Sequence, residues 1–196
     1  MPTMRRFFIS VLAVIPWLLL GACSSSTPLV EETLDSETGV TVLRVMPPVI
    51  FFRDISYRAA NARDFVYLGP IEVNRMGRFE YFLWLGVWST LDDFYAEPSR
   101  DGFESITLLA DGEPMTLEAT GWTLEAIGVG DPVYVAPVGS AADVYYRVTM
   151  DQIRLLAESR DIEIMTSSAR VRRYFPWDGY SSSRAGMRAF IERAMN

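Results

Sequence analysis

The chain has 196 residues, 49% of them apolar, and a formal net charge of −7. That is enough apolar content for one core without disulfides, and the acidic balance repels phosphate backbones, so nucleic acid is not an expected partner. Histidine and lysine are absent, the 18 basic residues all being arginine, and Cys23 is the single cysteine. These absences exclude an internal disulfide, a cysteine zinc cage, Ser-His and Cys-His pairs, Schiff-base chemistry and a phosphate-loop lysine. No metal, cofactor or catalytic residue set is expected.

The first six residues carry Arg5 and Arg6, and residues 7–20, "FFISVLAVIPWLLL", are apolar apart from Ser10. With Gly21 and Ala22 the uncharged run stays shorter than the roughly 20 residues a spanning helix needs. A basic start, a short apolar centre and small residues at a boundary form the pattern of a secretory signal peptide. A buried helix fits less well, because the segment is apolar nearly all round and Pro16 interrupts it.

At the boundary, Leu20-Gly21-Ala22-Cys23 resembles the lipobox of bacterial lipoproteins. The resemblance covers residues 1–23 and implies no fold for the rest. It implies that the Cys23 thiol receives a diacylglyceryl group, that a signal peptidase cuts between Ala22 and Cys23, and that the new terminus is acylated. Several acyl chains give durable membrane anchoring where one would be marginal. Ser24 stands where an aspartate tends to hold enteric lipoproteins at the inner membrane. The implied address is therefore the cell outer membrane, facing the periplasm, with inner-membrane retention as the alternative. The polar, acidic stretch "SSSTPLVEETLDSET" that follows reads as a flexible tether. The expected organisation is a cleaved signal peptide over 1–22, lipidated cysteine and tether over 23–38, and a single β-rich periplasmic domain over 39–196.

From Val40 the composition turns β-branched and aromatic. "VTVLRV" and "VIFFRD", separated by Pro47-Pro48, predict strands, and "YRAANAR" a turn or short helix. "DFVYLGPIEV" and "RFEYFLWLGVWST" flank "NRMG", where Asn74 and Gly77 can supply the backbone angles of a tight loop. The second arm is apolar on both faces, with Leu83, Leu85 and Val87 on one and Phe82, Trp84 and Trp88 on the other; such a strand is normally covered on both sides. Asp111-Gly112 predicts a second hairpin. "DPVYVAPV" and "ADVYYRV" read as strands, and Thr149 with Gln152 as the capping box of a helix whose apolar face is Met150, Ile153, Leu156 and Ala157. "DIEIMTS" and "ARVRRYF" suggest a closing strand pair. A last helix presents Met187, Phe190, Ile191 and Ala194 at helical spacing. The fold class is α+β and β-rich: a mostly antiparallel sheet or sandwich with two helices late in the chain.

Four features are candidates for function. Arg172, Arg173, Tyr174, Trp177 and Tyr180 form an arginine- and aromatic-rich surface suited to stacking on sugars or holding a partner; the plainer reading packs some rings on the sheet. Asp92, Asp93, Glu97, Asp101 and Glu104 could hold calcium or act in pairs on a glycan, although they match no calcium loop and suit a solvated connection. Phe82, Trp84 and Trp88 could line an apolar cavity or simply fill the core. The last helix could dock a partner or its own sheet. The leading expectation is a lipid-anchored, non-enzymatic envelope protein, held to the membrane by its N-terminal lipid and engaging an envelope protein. A carrier of lipid or another apolar ligand and a glycan-active enzyme are the alternatives. Intact-mass measurement is expected to show loss of residues 1–22 and added acyl mass on Cys23, with Cys23→Ser accumulating as precursor; unacylated wild-type protein would end the lipoprotein reading.

Overall fold

The computed structural model describes residues 29–91, 100–139, 141–178 and 181–195; the segments expected to be signal peptide, lipobox and the start of a tether lie outside them. The strongest hairpin signal forms β4 (Arg63–Arg75) and β5 (Arg78–Ser89). Their loop is Met76-Gly77, with φ of 53° and 89°, the double positive φ that matches a two-residue loop to the twist of its strands. Sequence had assigned those angles to Asn74 and Gly77. Instead Asn74 remains in the strand, and its side-chain oxygen accepts a hydrogen bond from the Gly77 N–H at 2.8 Å.

So short a loop leaves one register. Arg75 faces Arg78, which sets Phe65 opposite Trp88, Gly69 opposite Trp84 and Glu72 opposite Tyr81. The period of two then sends Val66, Leu68, Leu83, Leu85 and Val87 to one side, and Phe65, Tyr67, Phe82, Trp84 and Trp88 to the other. Asp111-Gly112 likewise joins β6 (Ser105–Ala110) to β7 (Glu113–Gly121), with φ of 51° and 87°.

Four more strands, β3 (Val49–Asp54), β8 (Ala142–Val148), β9 (Ile162–Thr166) and β10 (Arg173–Pro176), complete the wall. Neighbours run β3-β4-β5-β8-β7-β6-β9-β10 and return to β3, every pair antiparallel. The sheet is thus a closed eight-stranded barrel. Closure pairs the two strands that would be edges in an open sheet or sandwich. Its interior is filled by inward residues such as Phe51, Leu68, Leu85, Leu108, Tyr146 and Ile164.

The two late helices follow the sequence reading. In α1 (Met150–Glu158), Thr149 and Gln152 form the reciprocal capping box, and Ile153, Leu156 and Ala157 are buried. Met187 and Phe190 of α2 (Ser181–Ala194) enter the same core, so that helix spends its apolar stripe on its own barrel.

β2 (Thr41–Val45) pairs with Ile71–Asn74 of β4, beyond the stretch that β3 occupies, and β1 (Val30–Leu34) adds to β2. This corrects the tether, which was expected to run to residue 38. The acidic composition of 30–34 hides a full set of ladder partners on β2, and Val30 packs against the core.

"DPVYVAPV" is also corrected: it is not a strand. Residues 122–139 cross the outside of the barrel as an irregular strap that contains one short 3₁₀ turn, Leu124–Ala126. Pro132 and Pro137 cannot donate to a ladder, and the strap's apolar residues Ile127, Val129, Val133 and Tyr134 instead cover Val40, Val42, Ile71, Phe82 and Trp84. The result is a second core on the barrel's exterior, so the Phe82–Trp84 part of β5 is covered on both faces, as its sequence leads one to expect.

Tyr134 holds the strap. Its ring stacks on Trp84 with centroids 4.5 Å apart and lies so close to Gly69 that a Cβ there would be 2.3 Å from it. Its hydroxyl accepts from Val45 N–H at 3.2 Å and donates to Pro70 C=O at 3.0 Å. These two groups face each other where β2 leaves β4 and where Pro70 has no N–H to offer, so the hydroxyl takes the place of a missing ladder bond. Asp35 ties the strap at a second point. One carboxylate oxygen accepts from the N–H groups of Glu37 and Thr38 at 2.9 Å each; the other accepts from Gly130 at 2.6 Å and Asp131 at 3.0 Å. Burial alone would raise the Asp35 pKa, but the N–H groups of Asp131, Thr38 and Gly130, with the Thr38 side chain, outweigh it and hold the carboxyl far below its ordinary value of 3.8.

Tyr134→Phe keeps the ring and orphans Val45 N–H and Pro70 C=O; it is expected to lower unfolding free energy by about 2 kcal/mol in urea titration. Asp35→Asn turns an amide toward N–H donors and is expected to cost about 3 kcal/mol at neutral pH. Because the folded pKa is depressed, the Asp35 contribution is complete above the ordinary value and fades as pH falls toward the folded one. The gap between wild type and Asp35→Asn should therefore narrow in acid, as followed by melting temperature against pH.

Candidate binding face

On the barrel wall away from the strap, outward residues of four neighbouring strands line up in register. Phe175 of β10 faces Phe52 of β3, Phe52 faces Phe65 of β4, and Phe65 faces Trp88 of β5. This cross-strand row is aromatic at every position. Phe65 and Trp88 stack at 4.6 Å and 17°, and Tyr67, one outward position along β4, meets Trp88 edge-on at 6.2 Å.

Trp177 follows the end of β10 and is anchored by its backbone N–H, which donates to Ile50 C=O at 2.9 Å. Its ring meets Phe52 edge-on at 5.1 Å and Phe65 at 5.6 Å. The Arg63 guanidinium lies 4.8 Å from the Trp177 ring centre and 5.9 Å from that of Phe52, within cation–π range. Phe175 and Trp177 remain 43% and 41% exposed, while Phe52, Phe65, Tyr67 and Trp88 are half-buried. At the margin, Trp88 Nε1 and Arg63 Nε are buried donors without an acceptor.

The sequence-predicted surface is divided by this geometry. Alternation along β10 places Arg173 on the outside with Phe175, its guanidinium 3.7 Å from the Glu163 carboxylate. Trp177 joins the aromatic face. Tyr174 does not: it is fully buried, and its place in a partner or glycan surface is corrected because an odd step along the strand points it into the barrel. There it lies 6.0 Å from Phe103, with the Arg53 guanidinium 5.8 Å from its ring. Burial pushes its hydroxyl up to about 12, Arg172 and Arg53 pulling against this and Asp64 adding to it. Arg172 also turns from the aromatic face, lying over Phe103 at 5.1 Å and donating to the Asp101 carbonyl. Tyr180 lies outside the described residues.

Of the acidic candidates, Asp92, Asp93 and Glu97 lie outside the described residues. Glu104 accepts from the Gly102 N–H at 2.8 Å and so supports its own turn. Among the described residues no three acidic, histidine or cysteine side chains are placed to share a metal. The aromatic stripe of β5 is split as well. Phe82 and Trp84 are buried beneath the strap, where the Trp84 indole N–H donates to Asp143 at 2.8 Å; Trp88 alone belongs to the aromatic face.

Sequence reading missed Phe52, Phe65, Tyr67 and Arg63 as members of this face. The Phe65–Trp88 contact was within reach, since a two-residue loop at Met76-Gly77 determines it by counting. The step to Phe52 rests on the β3–β4 pairing, and only the step to Phe175 requires barrel closure through β10. The chain matches no protein-family model, and no curated protein or solved structure shows a significant match to it.

Proposed function

We propose that this chain is a lipid-anchored protein of the bacterial cell envelope whose barrel is a binding module, with the aromatic face around Trp177 as its contact surface. The anchor rests on the lipobox ending in Cys23 and, through it, on an outer-membrane address facing the periplasm. The observation that carries the binding role is the in-register row Phe175–Phe52–Phe65–Trp88, topped by an exposed Trp177. At the other end of the same strands the outward rings are covered: Phe82 and Trp84 have the strap over them. Partly exposed aromatic clusters carry much of the energy at recognition surfaces, because each ring buries a large area at small entropic cost. The half-buried members hold Trp177 and Phe175 in fixed orientations, which lowers the ordering cost of binding. Arg63 adds positive charge beside the rings of an otherwise acidic protein, favouring an acidic or polar partner.

A photo-crosslinking residue at Arg173, beside the face, is expected to give adducts of discrete mass in intact cells, whereas one at Val135 on the strap, 85% exposed, gives none. Trp177→Ala should abolish the adducts while changing the melting temperature little. Equal adducts from both positions, or adducts indifferent to Trp177, would refute this face as the contact surface.

A further inference from the structure

The inward positions of β4 run Val66, Leu68 and Pro70, and the next, where the apolar stripe would continue, is Glu72. Register places Glu72 between Leu43 of β2 and Tyr81 of β5, with Glu32 of β1 next in the same row. Thr41, Asn74 and Phe79 form the following row. Arg193 and Ala194 of the last turn of α2 complete a recess of about 200 Å³ lined by these strands.

Glu72 is only 7% exposed, lines this recess, and has no hydrogen-bond partner for Oε2. Tyr81 stands directly opposite in the register and its hydroxyl favours the charged carboxylate. Burial pushes the Glu72 carboxyl above its ordinary value against the Tyr81 hydrogen bond, with Glu32 adding to the rise and Arg193 opposing it. The cation at the rim, Arg193, is already ion-paired with Glu32. Two carboxylates therefore share one guanidinium, and one buried oxygen is left without a donor, a costly arrangement for a position where an apolar residue would simply pack. Departures of this kind from the folding pattern concentrate at functional sites.

We propose that this recess binds an alkylammonium group. The Glu72 carboxylate accepts an N–H of the ammonium, Glu32 adds negative charge, and Leu43, Phe79 and Ala194 take the hydrocarbon stem. A single free oxygen suits a point-charge donor; a guanidinium fork needs two. The chain contains no lysine, so this group comes from outside it, as a partner's lysine side chain or as the ethanolamine headgroup of a lipid. This site is separate from the aromatic face, and its fate is independent of that reading.

The test is calorimetric titration of the full-length protein, in an amine-free detergent at pH 8, with n-butylamine. Saturable binding is expected, weakened about tenfold or more by Glu72→Gln and tightened by Arg193→Gln, which releases Glu32. Agmatine, ending in a guanidinium, should compete less well than butylamine. A blocked lysine peptide and vesicles containing phosphatidylethanolamine, offered separately as competitors, identify the source, and displacement by either supports the site. Absence of saturable binding overturns the proposal. So does equal binding by wild type and a Glu72→Gln protein whose melting curve matches it.

Discussion

A single phenol decides how this barrel is dressed. β4 serves β3 along one half of an edge and β2 along the other, and at the changeover Pro70 has no N–H with which to continue the ladder. The Tyr134 hydroxyl is inserted there, satisfying Val45 N–H and Pro70 C=O together. Its ring must lie flat on the sheet to reach them, and it can do so because Gly69 has no side chain and Trp84 offers a stacking face. The path of the strap, the burial of Trp84 and the attachment of β2 all follow from this one placement. Asp35 holds the strap at a second point through backbone donors on two segments.

The same strands that carry the strap carry the aromatic face. Over Phe65–Ile71 and Tyr81–Trp88, β4 and β5 send apolar side chains in both directions, more than the barrel interior can use. At the Phe82–Trp84 end the surplus becomes a second core. At the Phe65–Trp88 end it is covered by nothing comparable among the described residues and leaves rings at the surface, braced by Phe52 and Arg63. Folding and recognition thus draw on one pattern, and which of them a ring serves depends on whether residues 122–139 reach it.

Legibility followed the range of the interactions. The Asp111-Gly112 turn, the Thr149–Gln152 capping box and the buried stripe of α2 are local or periodic, and each was readable. Asn74 was misread because its side chain closes the turn from within the strand, a choice between two local roles that composition does not make. Residues 30–34 and 131–138 were misassigned for opposite reasons. The first are acidic yet find partners on β2; the second are β-branched yet contain prolines and a tyrosine needed elsewhere. Tyr174 stands among arginines and other aromatics that suit a surface, while the parity of a four-residue strand turns it inward.

By itself the sequence determined the β-rich class, the hairpins and the helices, because each of these is settled by composition, spacing or contacts only a few residues apart. Tertiary structure alone decided that the sheet closes, that a proline-bearing loop forms a second core, that four aromatic residues from four strands stand in one row, and that Glu72 faces a recess under α2. Those outcomes depend on which distant strands pair and in what register, and a shift of one residue in a strand's pairing would send that strand's side chains to the opposite face.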